Sequence, residues 1–389
     1  MATHAKPPRK SRGRPSRAVA AVAPIEPEDV NIRAAGALYD MAALQSAERS
    51  RFGYKRAAKA VAGLPTLVSD MVDSGTLNEI PFVGPSSIRI ITEVVREGRS
   101  ATVESAIERA GNPSRLAAGR SLRGNFLSHF AMQRALAMKH PRHIVDKAGF
   151  RGDFQMHSQW SDGGESIATM ADACQSLGHT CMGVTDHSYG LPIARGMSMT
   201  AAARQHTEID KLNAKFAGTF RIFKGIEANI LADGSLDLQP DERAAFDFVV
   251  ASPHSLLRRP EPQTARMVAA VRAPAVAILG HPRGRMFNSR AGVIADWPRV
   301  FKVAAERQVA VELDGNWHRQ DLDFELARQA LDAGCLFALD SDAHSIGELR
   351  FTDYAIAHAR IAGIPADRVI NCWSDEALDA WMAERKQVR

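Results

Sequence analysis

Five histidines stand just beyond five separate apolar runs, and acidic residues accompany them. Gln155-Met156-His157-Ser158 leads to Asp162, Thr185-Asp186-His187 ends a second run, and Glu227 lies inside a third. His254 follows Ser252-Pro253, His281 follows Gly280, and Asp342 and His344 follow Asp340-Ser341. Neutral imidazole suits borderline metals, and a carboxylate can bridge two ions. Adjacent divalent ions clamp a phosphate and lower the pKa of a bound water. The chemistry open to this set is hydrolysis of a phosphoester with two to three divalent ions, Mn²⁺, Zn²⁺ and Fe²⁺ all being compatible. A planar guanidinium matches phosphate oxygens, which makes Arg195, Arg283, Arg285 and Arg319 candidates for holding substrate. Any one histidine alone would more often be a core or surface residue. Eight of the thirteen, among them His4, His140, His179 and His358, are read that way. Recurrence at five strand ends carries the reading.

Something must bring these separated residues together. From about Arg151 short β-type runs alternate with amphipathic helical stretches. Strands are expected near 151–156, 181–186, 222–230, 247–252, 276–280, 309–313 and 336–340. Helices are expected at 165–178, 200–217, 296–308 and 322–334. Strand–helix alternation calls for a parallel sheet, and seven units favour a closed barrel over an open sheet. Active sites of such barrels sit at the strands' C-terminal ends, where all the polar motifs fall.

The first third of the chain is of another kind. Residues 1–17 carry six basic side chains and no acidic one, so the net charge of +5 belongs to the tail. A segment of this kind is disordered and can hold an acidic polymer. Within it Arg12-Gly13-Arg14-Pro15 is similar to the core of an AT-hook, a minor-groove reader, and a merely solubilising tail is the alternative. Residues 18–30, rich in Ala, Val and Pro, read as a linker, and residues 31–110 show helical spacing throughout. Ile80-Pro81-Phe82-Val83-Gly84-Pro85 followed by Ser86-Ser87-Ile88 looks like the second half of a helix-hairpin-helix. There Gly84 and Ser86 would offer backbone N–H groups at a helix start to a nucleic-acid phosphate. Arg115, Arg120, Arg123 and Arg134 make the connector 111–149 basic. The four cysteines show no Cys-x-x-Cys spacing and imply a reducing compartment. No apolar run is long enough for a membrane span, and the N-terminus lacks the apolar core of a secretory signal.

The six motifs of residues 150–389 occur in the order of the PHP (polymerase and histidinol phosphatase) family, and closely resemble it. Trp160-Ser161-Asp162-Gly163, Ala295-Asp296-Trp297 and Val311-Glu312-Leu313-Asp314-Gly315 look most like the C-terminal domain of bacterial family X DNA polymerases. The N-terminal segment resembles the helical domain of the same polymerases through Phe52-Gly53-Tyr54-Lys55-Arg56-Ala57-Ala58 and Gly75-Thr76-Leu77-Asn78-Glu79-Ile80-Pro81. Phe82 replaces that hairpin's first glycine, and Ile90 stands where lyase-active relatives have a Schiff-base lysine, so lyase chemistry is not expected. Residues 111–150 have no room for a polymerase palm and no Asp-x-Asp pair, so polymerase activity is not expected either.

The resemblance implies an α/β fold, a (β/α)7 distorted TIM-like barrel preceded by a small all-α helix-hairpin-helix domain. The expected organisation is a tail and linker over 1–30, the helical domain over 31–110, a connector over 111–149 and the barrel over 150–389. It also implies ligand sets: His157, Glu227 and Asp342 for one metal, Glu227, His254 and His281 for a second, and Asp162, His187 and His344 for a third. Glu227, His187 and Asp342 are the catalytic candidates. The family's His-x-His at the first strand is Gln155-x-His157 here. Three functions stay open. The first is a DNA phosphoesterase, either a 3′→5′ exonuclease or a 3′-end phosphatase in repair, acting on single-stranded, nicked or gapped ends in the cytoplasm at the nucleoid. The second is a phosphatase of a small phosphomonoester, and the third a DNA-binding protein with an inactive metal site.

Overall fold

The structure, a computed structural model, describes residues 29–111 and 119–387. Arg12, Arg14 and Arg115 lie outside the described residues.

Seven strands run parallel in sequence order: β1 (Gly152–Asp153), β2 (Cys181–Val184), β3 (Arg221–Asn229), β4 (Phe248–Ser252), β5 (Val276–Leu279), β6 (Ala310–Asp314) and β7 (Leu336–Asp340). The strands are almost wholly buried, because helices cover the sheet from outside. The circle closes where Met156 forms a parallel bridge with Ala343, and where Asp340 Oδ1 accepts from Phe154 N at 2.8 Å. Asp153 and Ser341 are also hydrogen-bonded across this seam. The expected first strand is thus mostly seam, with only two residues in regular pairing.

Between the strands, helices form where apolar spacing predicts them, including Ile167–Ser176, Met199–Phe216, Trp297–Arg307 and Phe324–Asp332. Several starts are set by a side chain that accepts from an otherwise orphaned N–H, as Ser166, Ser198 and Asp323 do. Phe154, Phe223 and Phe248 pack edge-on inside the sheet with centroids 5.6 and 5.9 Å apart. Glycine is required beside them: a Cβ on Gly183 or Gly225 would stand 2.6 or 2.5 Å from the Phe248 ring. Leu378, Trp381 and Met382 of the last helix, Asp375–Gln387, join this cluster at residues that begin β4, β6 and β7. The N-terminal end of the barrel is therefore plugged, and the other end is left for chemistry.

Five helices form an N-terminal unit: α1 (Val30–Ala43), α2 (Glu48–Ala62), α3 (Val68–Ser74), α4 (Pro85–Glu97) and α5 (Ala101–Ala110), and the connector adds one more, His129–Ala137. They share a core of their own, with Leu38, Val61, Ile90, Ile91 and Val94 fully or almost fully buried. Gly84 caps α4 and Pro85 opens it, while Ser86 is exposed in its first turn. Ile90 faces inward at 0% exposure, so its position adds packing and no reactive group. Phe82 takes φ +66°, the left-handed conformation that a glycine would adopt without strain.

This helical unit is fastened to the barrel through the connector. Arg123 meets Asp40 of α1 at 2.5 Å and Asn288 at 2.8 Å, and Leu127 N donates to Gln320 Oε1 at 2.8 Å. His358, beneath this junction, accepts from Phe324 N at 3.1 Å, and its other ring nitrogen lies 2.7 Å from Gln320 Oε1. Burial, helped by Arg285 and opposed by Asp323, pushes His358 down to about 3. The unfolded chain therefore takes up this proton first as pH falls below the ordinary 6.5. The stability involved is complete above that value and is lost toward about 3. Melting temperature is expected to fall with pH across this window, and to fall less steeply in His358→Gln. Equal slopes for the two proteins would overturn the assignment.

Among the described residues, no helix is long and apolar enough to cross a membrane.

Candidate metal centre

The eight residues expected as ligands converge at the C-terminal mouth. His157 and Asp162 follow β1, His187 follows β2, Glu227 lies in β3, His254 follows β4, His281 follows β5, and Asp342 and His344 follow β7. Glu227 is the hub. One of its oxygens lies 2.9 Å from His187 Nδ1 and 3.6 Å from His157 Nε2; the other lies 3.0 Å from His281 Nε2 and 3.5 Å from His254 Nε2. Asp342 Oδ1 is 3.1 Å from His157 Nε2, and Asp162 Oδ1 is 3.4 Å from His344 and 3.6 Å from His187.

Three sets present donor atoms within 4.8 Å of one another: His157, Asp162, His187 and His344; His187, Glu227 and His254; and His157, Glu227 and Asp342. The grouping differs from the expected one in a physical detail. His187 reaches Glu227 as well as Asp162, so it links two sets, while His281 touches the hub without completing a set.

Burial pushes the Glu227 carboxyl up, but the imidazoles of His187 and His254 outweigh it and hold it well below the usual range. Asp162 is held at about 2, because the His344 bond and the neighbouring imidazoles overcome its burial. Asp342 is likewise kept ionised against burial by Arg319 and His157. Three buried or half-buried carboxylates thus face five imidazoles and, at Asp342, the permanent cation of Arg319. Such a site is expensive without further positive charge, and divalent ions fit it in both charge and donor type. His157 Nδ1, His281 Nδ1 and Gln155 Oε1 are also buried without a hydrogen-bond partner. His281 and Asp342 both have positive φ, +21° and +52°. Strain of this kind, about 1–3 kcal/mol per residue, concentrates at functional sites.

Supporting residues orient the rings. His254 Nδ1 lies 2.5 Å from Asn229 Oδ1, which can only accept, so the ring's proton is on Nδ1 and Nε2 keeps a free lone pair toward Glu227. Asn229 is itself held by Asp237, through bonds of 2.8 and 2.9 Å, and Ser188 Oγ donates to the same carboxylate at 2.6 Å. Asn229→Ala is expected to weaken metal affinity by about 10–100-fold, measured by chelator competition. An unchanged affinity would remove Asn229 from the support of His254. Asn229 and Asp237 did not stand out in the sequence, although Asn229 is two residues beyond Glu227 on one strand and so shares its face.

Other expectations need correction. Asp186 and Asp340 stand near ligands in the chain but serve other partners: Asp186 accepts from Ser158, Ser161 and Gln205 and braces the turn after β1. Asp340 serves the barrel seam and Asn371. Gln155 turns its amide nitrogen to Glu227 at 2.9 Å, so it acts as a donor toward the hub. Of the four arginines, Arg319 contacts the centre, through Asp342. Arg283 is bound to Asp323 at 3.2 Å at the rim, and Arg195 is exposed in a turn with no carboxylate partner among the described residues. Arg285 is 4% exposed and saturated by protein acceptors, which takes it out of the mouth.

No family model matches the chain. Among curated proteins, the DNA polymerase/3′-5′ exonuclease PolX of Bacillus subtilis (strain 168) is 37% identical over 240 residues, 61% of this chain. Over those residues the chain is similar to PolX. The resemblance to the PHP family, and within it to family X polymerases, is thereby borne out. The aligned part is 42% of PolX, so the chain spans less than half of that protein's length. A Thermoanaerobacter sp. (strain X514) protein named "Probable phosphatase" is 29% identical over 161 residues, 39% of this chain and 63% of that protein. Similar solved structures include the histidinol phosphate phosphatase of Lactococcus lactis subsp. lactis Il1403, at TM-score 0.39 and 17% identity over 54% of this chain and 93% of that one.

Proposed function

We propose that the chain is a metal-dependent phosphoesterase that hydrolyses DNA ends, as a 3′→5′ exonuclease or a 3′-end phosphatase in repair, without polymerase activity. The observation that carries the reading is the set of three interlocking donor groups sharing His157, His187 and Glu227 at the open end of the barrel. His157, Asp162, His187, Glu227, His254, His281, Asp342 and His344 would hold two to three ions, with Glu227 between them. Bound there, Mn²⁺, Zn²⁺ or Fe²⁺ would polarise a phosphoryl oxygen and acidify water. Arg319, Arg283 and Arg195 would steady phosphate oxygens. Asn229, through His254, and Gln155, through Glu227, fix ring and carboxylate orientation before substrate arrives.

DNA is preferred because PolX carries a 3′-5′ exonuclease in its name and because the helical unit offers Gly84 and Ser86 at a helix start. Such an enzyme would work in the cytoplasm on single-stranded, nicked or gapped ends. The second reading, a phosphatase of a small phosphomonoester, is supported by the Thermoanaerobacter relative.

A gel assay with Mn²⁺ on 5′-labelled single-stranded and nicked DNA separates them. A ladder of shortened products, lost on adding chelator, is expected from the exonuclease, and one small mobility shift on 3′-phosphate ends from the end phosphatase. Unchanged DNA beside turnover of p-nitrophenyl phosphate would move the assignment to the small-molecule enzyme. A protein without metal by elemental analysis, still binding DNA, would leave only a binding role.

A further inference from the structure

We infer that a single nucleic-acid strand reaches the metal centre along a basic ridge of α2 set with exposed aromatic rings, which joins the helical unit to the barrel mouth. The inference rests on the reading of the centre as a nucleic-acid phosphoesterase.

Phe52, Lys55, Arg56 and Lys59 recur at the spacing that places residues on one face of a helix, and all four are exposed. The opposite face, Ala57, Ala58, Val61 and Ala62, is buried in the helical core. None of the three cations has a carboxylate partner among the described residues. They sit instead beside rings. Lys55 lies 5.9 Å from the Phe52 centroid, Arg56 lies 4.8 Å from Phe82, and Lys59 lies 5.1 Å from Trp317 of the barrel. Trp317 is two residues before Arg319, which contacts Asp342 in the metal cluster. These residues therefore run from the Phe82 turn, along α2, to the loop that carries Arg319. A cavity of about 410 Å³, lined by Lys59, Trp317, Phe287 and Tyr354 among others, opens beside its last step.

Two features are unfavourable to the isolated protein and are explained by a ligand. Phe52 and Phe82 are large apolar side chains left 49% and 61% exposed. Phe82 also carries a positive φ, which strains any residue but glycine. Bases stack on such rings whatever their identity, while unpaired Lys and Arg follow the phosphates. A duplex buries its base faces and gains nothing from the rings, which makes a single strand the partner. The hairpin N-terminus meets phosphate alone; the ridge adds stacking and continues to the place where the chain is cut.

The test uses the full chain and a 5′-fluorescein oligodeoxythymidine, read by anisotropy at several salt concentrations. Lys55→Glu/Arg56→Glu/Lys59→Glu is expected to weaken binding at least about 30-fold and to lower the salt slope by about 2, at roughly 0.7 per lost contact. Phe52→Ala/Phe82→Ala is expected to weaken binding about tenfold with the slope unchanged. Should the charge reversals lower the melting temperature, the glutamine versions replace them. Affinities within about twofold of wild type in both variants, or no binding by wild type, overturn the inference. A wild type that binds through the ridge but cuts no DNA leaves the ridge standing and removes the exonuclease reading. Cleavage undiminished in both variants does the reverse.

Discussion

Glu227→Gln is expected to lower phosphoester hydrolysis by about 10³-fold or more while leaving oligonucleotide affinity within about twofold of wild type. The substitution keeps the shape of a side chain that is 1% exposed and in reach of four imidazoles. What it removes is the negative charge that lets adjacent cations share one site. Elemental analysis should show fewer ions per chain, and the melting temperature of the metal-free protein should stay close to wild type. Oligonucleotide affinity is spared because the ridge cations Lys55, Arg56 and Lys59 belong to the helical unit, which has its own core, and none of them is a partner of Glu227. A variant that keeps its metal and a tenth or more of the rate would place the chemistry elsewhere.

Arg285→Leu is expected to lower folding stability by about 3–5 kcal/mol, because a buried ion pair loses one partner and several carbonyls lose a donor. Arg285 Nε donates to the carbonyls of Arg319 and Gln320 at 2.9 and 3.1 Å. Its terminal nitrogens meet Gly124 O at 3.0 Å, Asn125 O at 3.3 Å and Asp323 Oδ2 at 3.2 Å. Its guanidinium also lies 3.9 Å from the Phe126 ring centroid. Burial brings the group down to about 10, which still leaves it charged at neutral pH. One side chain thus joins the connector, the Arg319 loop and β5's extension. The denaturant midpoint reads the loss, and KM of the molecules that remain folded should hold. A small change in stability with a large rise in KM would return Arg285 to the substrate. Arg319→Ala is the contrast, since Arg319 touches the centre itself.

The barrel was legible because two periodicities agree. Apolar runs of four to nine residues mark β2–β7 within a residue or two of their observed ends, and each ends on a polar motif. The eight candidate ligands were legible for the same reason: their types are rare in apolar surroundings. The supports were not. Asn229, Gln155 and Asp237 are ordinary polar residues until a partner from another strand defines their role, and no single-sequence pattern gives that partner. Arg285 shows the opposite failure. Gly284-Arg285 beside His281 looks like phosphate chemistry, yet the acceptors that saturate the guanidinium come from 124–125 and 319–323, distant in the chain. The first strand was overestimated because its last residues close the ring through a single bridge and side-chain bonds. Ridge residues such as Lys59 do not stand out within the helical spacing of 31–110, and only the placement of Trp317 beside them gives that surface a direction.

The strands follow one another around the barrel in the order in which they are synthesised, and the ring closes between the first and the last. His157 and Asp342, which meet at 3.1 Å, are separated by 185 residues. At a translation rate of roughly 5–20 residues per second, His157 emerges roughly ten to forty seconds before its partner. During that interval His157, His187 and Glu227 exist without the carboxylate that completes the innermost set. A nascent chain can therefore complete the group of His187, Glu227 and His254 early, while the two sets that need Asp342 or His344 would hold an ion only in an incomplete, readily exchanging form. Their retention would begin when the last strand is seated, so the metal that stays there would be chosen by the closed ring and the ions then at hand.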